Sequence, residues 1–355
     1  MKKCLLLVLF TLFISCSSES IKIDYDNTNI KYSGRIEYKI GADTYWPGTS
    51  VKINFEGESV FATLDDETGK NFFNILLDDK HITVLNLDRG SHTYQIAANL
   101  KRGKHTIELF RRTEWDYGRS SFIGFEIVGK AKILEKPIIK NRKFEFYGNS
   151  ITAGYGVDDY EKDRPDSIFS NNYNAYGAVI ARHYNAEYYC TAKGGIGIMV
   201  SWFPQIMPEV FNRINPNDEN SEWDFSKYQP QIVVINLFQN DSWIVNMPDY
   251  VQFKNRFVTE KPSEDKIIRS YQNFVSTIRS KYPDANIICT LGAMDITKDG
   301  SKWPGYVTHA VENLNDGKIY SFFIKYKNSP GHPKVEEQKI MAAQLIRFID
   351  ENIRW

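Results

Sequence analysis

The chain has 355 residues, and its 44 Lys and Arg balance 44 Asp and Glu. A net charge of zero leaves no electrostatic footprint for nucleic acid, and the length allows two domains with cores of their own. Aromatics are abundant, with 21 Tyr, 22 Phe and 7 Trp. That composition suits β-rich cores and also surfaces that stack on sugar rings.

The first residues have the layout of a targeting segment. Lys2 and Lys3 precede an apolar run from Leu5 to Ile14, too short to span a bilayer, and Ser15 and Cys16 follow. The stretch Phe13-Ile14-Ser15-Cys16 resembles a bacterial lipobox, which implies lipidation at Cys16. Residues 1–16 are therefore read as a lipoprotein signal peptide and 17–29 as a tether. A cell-envelope location follows, facing the periplasm or on the cell surface, with the membrane engaged only through the lipid anchor. Ordinary secretion is the alternative. Past the leader, Cys190 and Cys289 lie in the apolar runs AEYYC and NIICTLG. Two buried free thiols are expected, since neither a disulfide framework nor a zinc spacing is present.

Residues 30–129 read as all β. SVKINFEG alternates, with Val51, Ile53 and Phe55 on one face. NFFNILLDDKHITVLNL reads as two strands joined through Asp78-Asp79-Lys80. HTYQIAANL, KHTIELFRR and SFIGFEIVG follow at regular spacing, which predicts a sandwich of jelly-roll type.

Residues 130–142 are a charged linker containing Pro137. From 143 to 355 the pattern alternates. KFEFYGN, EYYCTAKG, QIVVINLFQND, ANIICTLGAM and KIYSFFIKY read as strands. Between them NNYNAYGAVIARHYN suits a helix, and 263–282 is a clearer one. Ser263 caps it, and Ile267, Tyr271, Phe274, Val275 and Ile278 share one face. A weaker helix is expected at 306–314, and a terminal helix with Pro333 in its first turn. The predicted fold is α/β, a doubly wound parallel five-stranded sheet of flavodoxin-like type preceded by the jelly-roll sandwich. Ligands bind such sheets beyond the carboxyl ends of the strands.

Motifs fall at those strand ends. Gly148-Asn149-Ser150-Ile151-Thr152 follows the first strand, Lys193-Gly194-Gly195-Ile196-Gly197 the second and Asn240-Asp241 the third, while Gly331-His332-Pro333 comes after the last. A serine hydroxyl is a poor nucleophile without a base and without donors for the oxyanion formed on attack. An imidazole such as His332 can be that base, because it is largely neutral at pH 7. Backbone amides of Ser150 and of a glycine in the second motif, with the Asn240 amide, can be the donors. Each such donor contributes roughly 3 kcal/mol to the transition state.

These blocks, in this order, resemble the SGNH hydrolase superfamily over the second half of the chain, from about Phe144 onward. With the sandwich before it, and with the stretch TYWPGTSVKINFEG, the layout is similar to carbohydrate esterase family 2, which removes acetyl groups from sugar hydroxyls. The resemblance implies Ser150 as nucleophile, His332 as general base, and Ser150, Gly195 and Asn240 as the oxyanion hole. It implies an acetylated polysaccharide or oligosaccharide as substrate, with no metal or organic cofactor. Acetylated envelope polymers and other short-chain esters stay open as substrates.

Three positions depart from the superfamily pattern. Asn149 stands where Asp is usual. Phe238 and Gln239 precede Asn240 and are expected to shape the pocket wall. The acid usually found two or three residues before the histidine is absent, with Ser329 and Pro330 there instead. A Ser-His dyad is the preferred reading, with Asp316, Asp295 and Glu336 as substitutes from elsewhere in the fold. The missing acid also motivates an alternative, a catalytically inactive glycan-binding surface lipoprotein. The acidic run DDYEKDRPD lacks calcium-loop spacing and reads as a solvated insertion beside the site mouth. Trp243 and Trp303 are candidates for sugar stacking, with core packing as the competing role.

Overall fold

The computed structural model describes residues 19–355, apart from the side chain of His81. Residues 1–16, read as a signal peptide, with Cys16 at their end, lie outside the described residues. No described helix is long and apolar enough to cross a membrane.

The N-terminal part is a sandwich of two antiparallel sheets of six strands each. One sheet runs in the order Ile36–Tyr38, Ala42–Thr44, Ser120–Val128, Ser59–Asp66, Gly90–Ala97, and the other Lys132–Ile133, Ser50–Glu56, His105–Arg111, Phe72–Leu77, Lys80–Asn86. The alternation in Ser50–Glu56 puts Val51, Ile53 and Phe55 into the core between the sheets, where they meet Leu64, Ile75 and Leu109. The strands Phe72–Leu77 and Lys80–Asn86 are joined by Asp78 and Asp79 alone, with Lys80 already in the second strand, and both turn residues take positive φ, 51° and 61°, as a two-residue hairpin requires.

Two boundaries are corrected. Ser20–Asp24, read as tether, is a strand paired along Gly124–Val128 with Ile23 buried. Its apolar alternation is only two residues deep, so the strand is specified by the sheet edge it covers. Within the supposed linker, Lys132–Ile133 pairs with Phe55–Glu56, and the Lys140 N–H donates to Glu187 at 2.7 Å.

In the second domain five parallel strands, β1 (Lys143–Gly148), β2 (Glu187–Ala192), β3 (Ile232–Asn236), β4 (Asn286–Leu291) and β5 (Ile319–Phe323), form one sheet in the order 2-1-3-4-5. The helices used below are α1 (Ser150–Ala153), α2 (Tyr176–His183), α3 (Gln239–Ile244), α4 (Glu264–Lys281), α5 (Trp303–Leu314) and α6 (Val335–Asn352). The fully buried β3 reflects cover on both sheet faces. Ser263 caps α4 by accepting from the Lys266 N–H, and the five expected apolar residues are the ones that α4 buries. Pro333 lies just before the cap of α6 rather than in its first turn, because Lys334 is the cap, closed by Glu337.

The domains share a buried polar seam. Arg35 of the sandwich pairs with Glu145 of β1 at 2.8 Å, both side chains no more than 2% exposed, and also donates to the carbonyls of Phe211 and Arg213. The Tyr282 hydroxyl donates to the other Glu145 oxygen. Trp46 donates to the carbonyl of Ile214 at 2.9 Å, and Lys31 pairs with Glu187 at 2.5 Å. Removing one partner of a buried pair strands the other charge, at a cost of about 3–5 kcal/mol. Arg35→Ala is therefore expected to lower unfolding free energy by about that amount in denaturant titration. A change below about 1 kcal/mol, the range of exposed pairs, would show that the seam carries no weight.

Candidate active site

The order 2-1-3-4-5 reverses direction between β1 and β3, and a crevice opens at such a switch point. Ser150 leaves β1 there as the first residue of α1. Asn149 caps that turn by accepting from the Ile151 N–H at 3.1 Å, so the side-chain oxygen does the work expected of an acid at this position. A Cβ on Gly148 would run into Thr152, so the turn closes only over glycine.

His332 comes from the other end of the chain. Gln338 of α6 accepts from the Tyr176 N–H at 2.9 Å and donates to the Ile151 carbonyl at 3.1 Å, which ties α6 to α1 and α2. Thus placed, His332 Nε2 lies 2.8 Å from Ser150 Oγ. The Tyr155 ring flanks the imidazole at 4.8 Å between centroids.

The far side of the imidazole corrects the dyad reading. Asp163 Oδ2 lies 2.7 Å from His332 Nδ1 and accepts the His332 N–H at 2.8 Å, while Oδ1 takes Lys334 Nζ at 2.8 Å. Asp163 belongs to the acidic run, which is built rather than merely solvated. Buried Asp159 accepts the N–H groups of Glu161, Lys162 and Arg164 and folds the segment so that Asp163 points inward. Gly331 has φ +69°, and a Cβ there would sit 2.7 Å from Asp163 Oδ1, so glycine before the histidine admits the carboxylate. The other proposed acids are engaged elsewhere: Asp316 with Arg279, Asp295 with Gln239 and Trp243, Glu336 with the Tyr160 hydroxyl. A glycine beside the histidine and an Asp-rich loop after the serine were the available signals for Asp163. A separation of 169 residues hid their connection.

Burial alone would raise the Asp163 carboxyl, but hydrogen bonds from His332 and Lys334 outweigh it and hold the group well below the usual carboxylate range. Asp163 is therefore an ionised acceptor at neutral pH, so Nδ1 carries the ring proton and Nε2 is free to accept from Ser150.

The remaining site residues converge from β2 and β3. Asn240, in the first turn of α3, accepts from Trp202 Nε1 at 3.0 Å and donates to the Ile196 carbonyl at 2.8 Å, which leaves one amide hydrogen unspent. Asp241 is fully buried and accepts the N–H groups of Ile198, Met199 and Val200 at 2.7–3.2 Å. Burial pushes its carboxyl up to about 6 against those bonds. Gly195 has φ +79°, and its N–H, like that of Ser150, has no partner among the described residues. The Gly194 N–H is taken by Glu114.

Phe238 does not line the pocket. It is fully buried at φ +82°, with its ring 4.8 Å from Tyr271 and 5.0 Å from Trp303, and Gln239 is buried against Asp295. Trp303 is partly buried and packs against Phe238 and Tyr306 at the edge of the core. Trp243 is half-buried, with its indole N–H on Asp295 at 2.8 Å. The aromatics beside the glycine loop are Trp202, 37% exposed, and Phe203, each 3.3 Å from where a Cβ on Gly195 would lie, and the sequence reading missed both.

A strand-turn serine, a histidine and an aspartate in hydrogen-bonded series, on a sheet of this order, define an SGNH-type hydrolase domain behind a β-sandwich. Comparison with known proteins refines that class. The family described as Carbohydrate esterase 2 N-terminal matches residues 32–137, and the GDSL-like Lipase/Acylhydrolase family matches 146–317. The cellulase/esterase CelE of Acetivibrio thermocellus is 31% identical over 346 residues, which are 94% of this chain and 40% of CelE, so the chain spans less than half of that relative. An acetylxylan esterase / glucomannan deacetylase of Cellvibrio japonicus is 25% identical over 323 residues, 86% of this chain and 84% of that protein. The solved family two carbohydrate esterase from Clostridium thermocellum, in complex with cellohexaose, superposes with a TM-score of 0.80 at 31% identity, covering 91% of this chain and 98% of that one. The chain belongs to carbohydrate esterase family 2.

The depressed Asp163 carboxyl makes a prediction about stability. A carboxyl with a folded-state pKa below its unfolded value of about 3.9 adds stability above that pH and loses it as pH falls. Wild type should therefore exceed Asp163→Asn in urea-unfolding free energy at pH 7, and the gap should narrow steadily as pH falls below about 4. A gap independent of pH would mean that the carboxylate is not preferentially ionised in the fold.

Proposed function

We propose that the protein is a carbohydrate O-acetyl esterase working by serine acyl transfer. The observation that carries this reading is the series Ser150 Oγ, His332 Nε2, His332 Nδ1 and Asp163 Oδ2, with contacts of 2.8 and 2.7 Å at its two ends. Ser150 Oγ attacks the acetyl carbonyl while its proton passes to His332 Nε2. The negative charge that develops on the carbonyl oxygen meets the N–H groups of Ser150 and Gly195 and the spare Asn240 amide hydrogen. As the tetrahedral intermediate collapses, the bond to the sugar oxygen breaks and that oxygen takes the proton from Nε2. Water then attacks the acetyl-serine, gives its proton to the same nitrogen and releases acetate, and the proton returns to Ser150. Asp163 stays ionised throughout and stabilises the imidazolium.

The substrate class rests on the relatives, whose names include acetylxylan esterase and glucomannan deacetylase. The inactive, binding-only alternative was motivated by a missing acid, and Asp163 removes that motive. Acetylated xylan and glucomannan are the substrates to test. Wild type should release acetate from at least one of them and should cleave 4-nitrophenyl acetate, whereas Ser150→Ala should lose about 10⁴-fold or more in kcat. Equal turnover by the two proteins would remove the proposal.

The same proposal places the enzyme in the cell envelope, lipidated at Cys16. The support is the sequence alone: Lys2 and Lys3, the apolar run and the lipobox-like Phe13-Ile14-Ser15-Cys16. Two or more acyl chains anchor a protein stably, whereas one does so only marginally. Expressed in a bacterium, wild type should partition into the detergent phase and Cys16→Ala into the aqueous phase. Aqueous partitioning of both would leave ordinary secretion.

A further inference from the structure

We propose that Glu114, a residue of the N-terminal sandwich, positions the Gly195 amide of the oxyanion hole. The inference rests on the esterase reading above and assigns the sandwich a part in it.

The loop after sandwich strand His105–Arg111 turns onto the carboxyl edge of the parallel sheet. Arg111 is fully buried and shapes that loop. Its guanidinium donates to the carbonyls of Thr113 at 3.0 Å, Glu114 at 3.3 Å and Gly118 at 2.6 Å, and to Thr44 at 2.6 Å. A planar fork of five donors thus sets the backbone that presents Glu114. The Glu114 carboxylate, itself buried, accepts the Gly194 N–H. Two residues on, Asp116 accepts Lys193 Nζ, and this buried ammonium lies 3.8 Å from the centroid of the Phe203 ring. Both residues immediately before Gly195 are therefore held by the sandwich.

From the other side Asp241 gathers the N–H groups of residues 198–200. Gly195 sits between these two anchors. A Cβ at residue 194 would lie 2.9 Å from Glu114 Oε1, so the glycine there is matched to the carboxylate. Burial pushes the Glu114 carboxyl up to about 7, with the Lys193 charge pulling the other way. An apolar side chain would avoid that penalty. What the Glu114 side chain adds is an acceptor oxygen that fixes the Gly194 N–H. Such a hold matters most for a donor whose effect depends on where it points: a misaimed oxyanion donor lowers kcat and leaves ground-state binding nearly unchanged.

The test is steady-state hydrolysis of 4-nitrophenyl acetate by wild type, Glu114→Ala and Glu114→Gln, with rates normalised to the Ser150 sites titrated to completion by a fluorophosphonate. Glu114→Ala should lose about tenfold or more in kcat per site, with KM within about twofold of wild type. Glu114→Gln keeps an acceptor oxygen and should recover most of the loss. A lowered melting temperature with unchanged kcat per site would make Glu114 a structural brace and overturn the inference, as would a loss that Glu114→Gln does not recover. If Glu114→Ala does not fold, Lys193→Met breaks the adjacent anchor and should lower kcat in the same way, and an unchanged kcat there also overturns it. A wild type without esterase activity would remove the parent reading as well, whereas an active wild type with an indifferent Glu114 removes this inference alone.

Discussion

An imidazole can take a proton from a serine only if the nitrogen facing that serine is the one without hydrogen. In this protein a single carboxylate decides the matter. Asp163 occupies Nδ1 of His332, so the ring proton sits there and Nε2 faces Ser150 as an acceptor. The neighbouring features serve that arrangement. Lys334 neutralises the second carboxylate oxygen, Asp159 folds the loop that brings Asp163 in, and Gly331 leaves the space through which it approaches. The acid comes from the loop after β1 instead of from the turn before the histidine, so the same geometry is reached with Ser329 and Pro330 in the places where an acid is usual.

The two domains are joined by apolar contact, with Trp46, Trp115 and Phe110 of the sandwich packed into the cores flanking the parallel sheet, and also by buried polar groups, which are the less expected part on energetic grounds. A dry apolar seam of equal area would hold at least as well, because buried charges lose hydration that their pairing only partly returns. The Arg35–Glu145 pair and the carbonyls around Arg35 fix one relative placement of sandwich and sheet. Apolar contact, being non-directional, tolerates many. Directional bonding at the seam gives physical meaning to a sandwich residue reaching the glycine loop of the other domain, since a contact of that kind requires that the domains not slide.

Local strain is concentrated near the same edge. Phe238 holds φ +82° while fully buried, at a backbone cost of roughly 1–3 kcal/mol for a side chain of its size. Its ring is clamped by Tyr271 and Trp303. The distortion turns the chain from β3 into α3 within two residues, which brings Asn240 over the switch-point crevice.

The sequence by itself determined most of the framework. Alternation in SVKINFEG, the near-continuous apolar run of β3 and the amphipathic α4 are local patterns, and each produced the element it implied. The four motifs at strand ends were legible for the same reason: strand ends are visible in sequence, and a parallel sheet gathers them along one edge. What only the tertiary structure decided were pairings between residues remote in the chain. Asp163 meeting His332, Trp202 meeting Asn240 and Glu114 meeting Gly194 leave no periodicity to read, because each depends on how two loops are carried together by elements folded elsewhere. The strand Ser20–Asp24 belongs with them, since a segment with two apolar residues becomes a strand only where an unpaired sheet edge offers its hydrogen bonds.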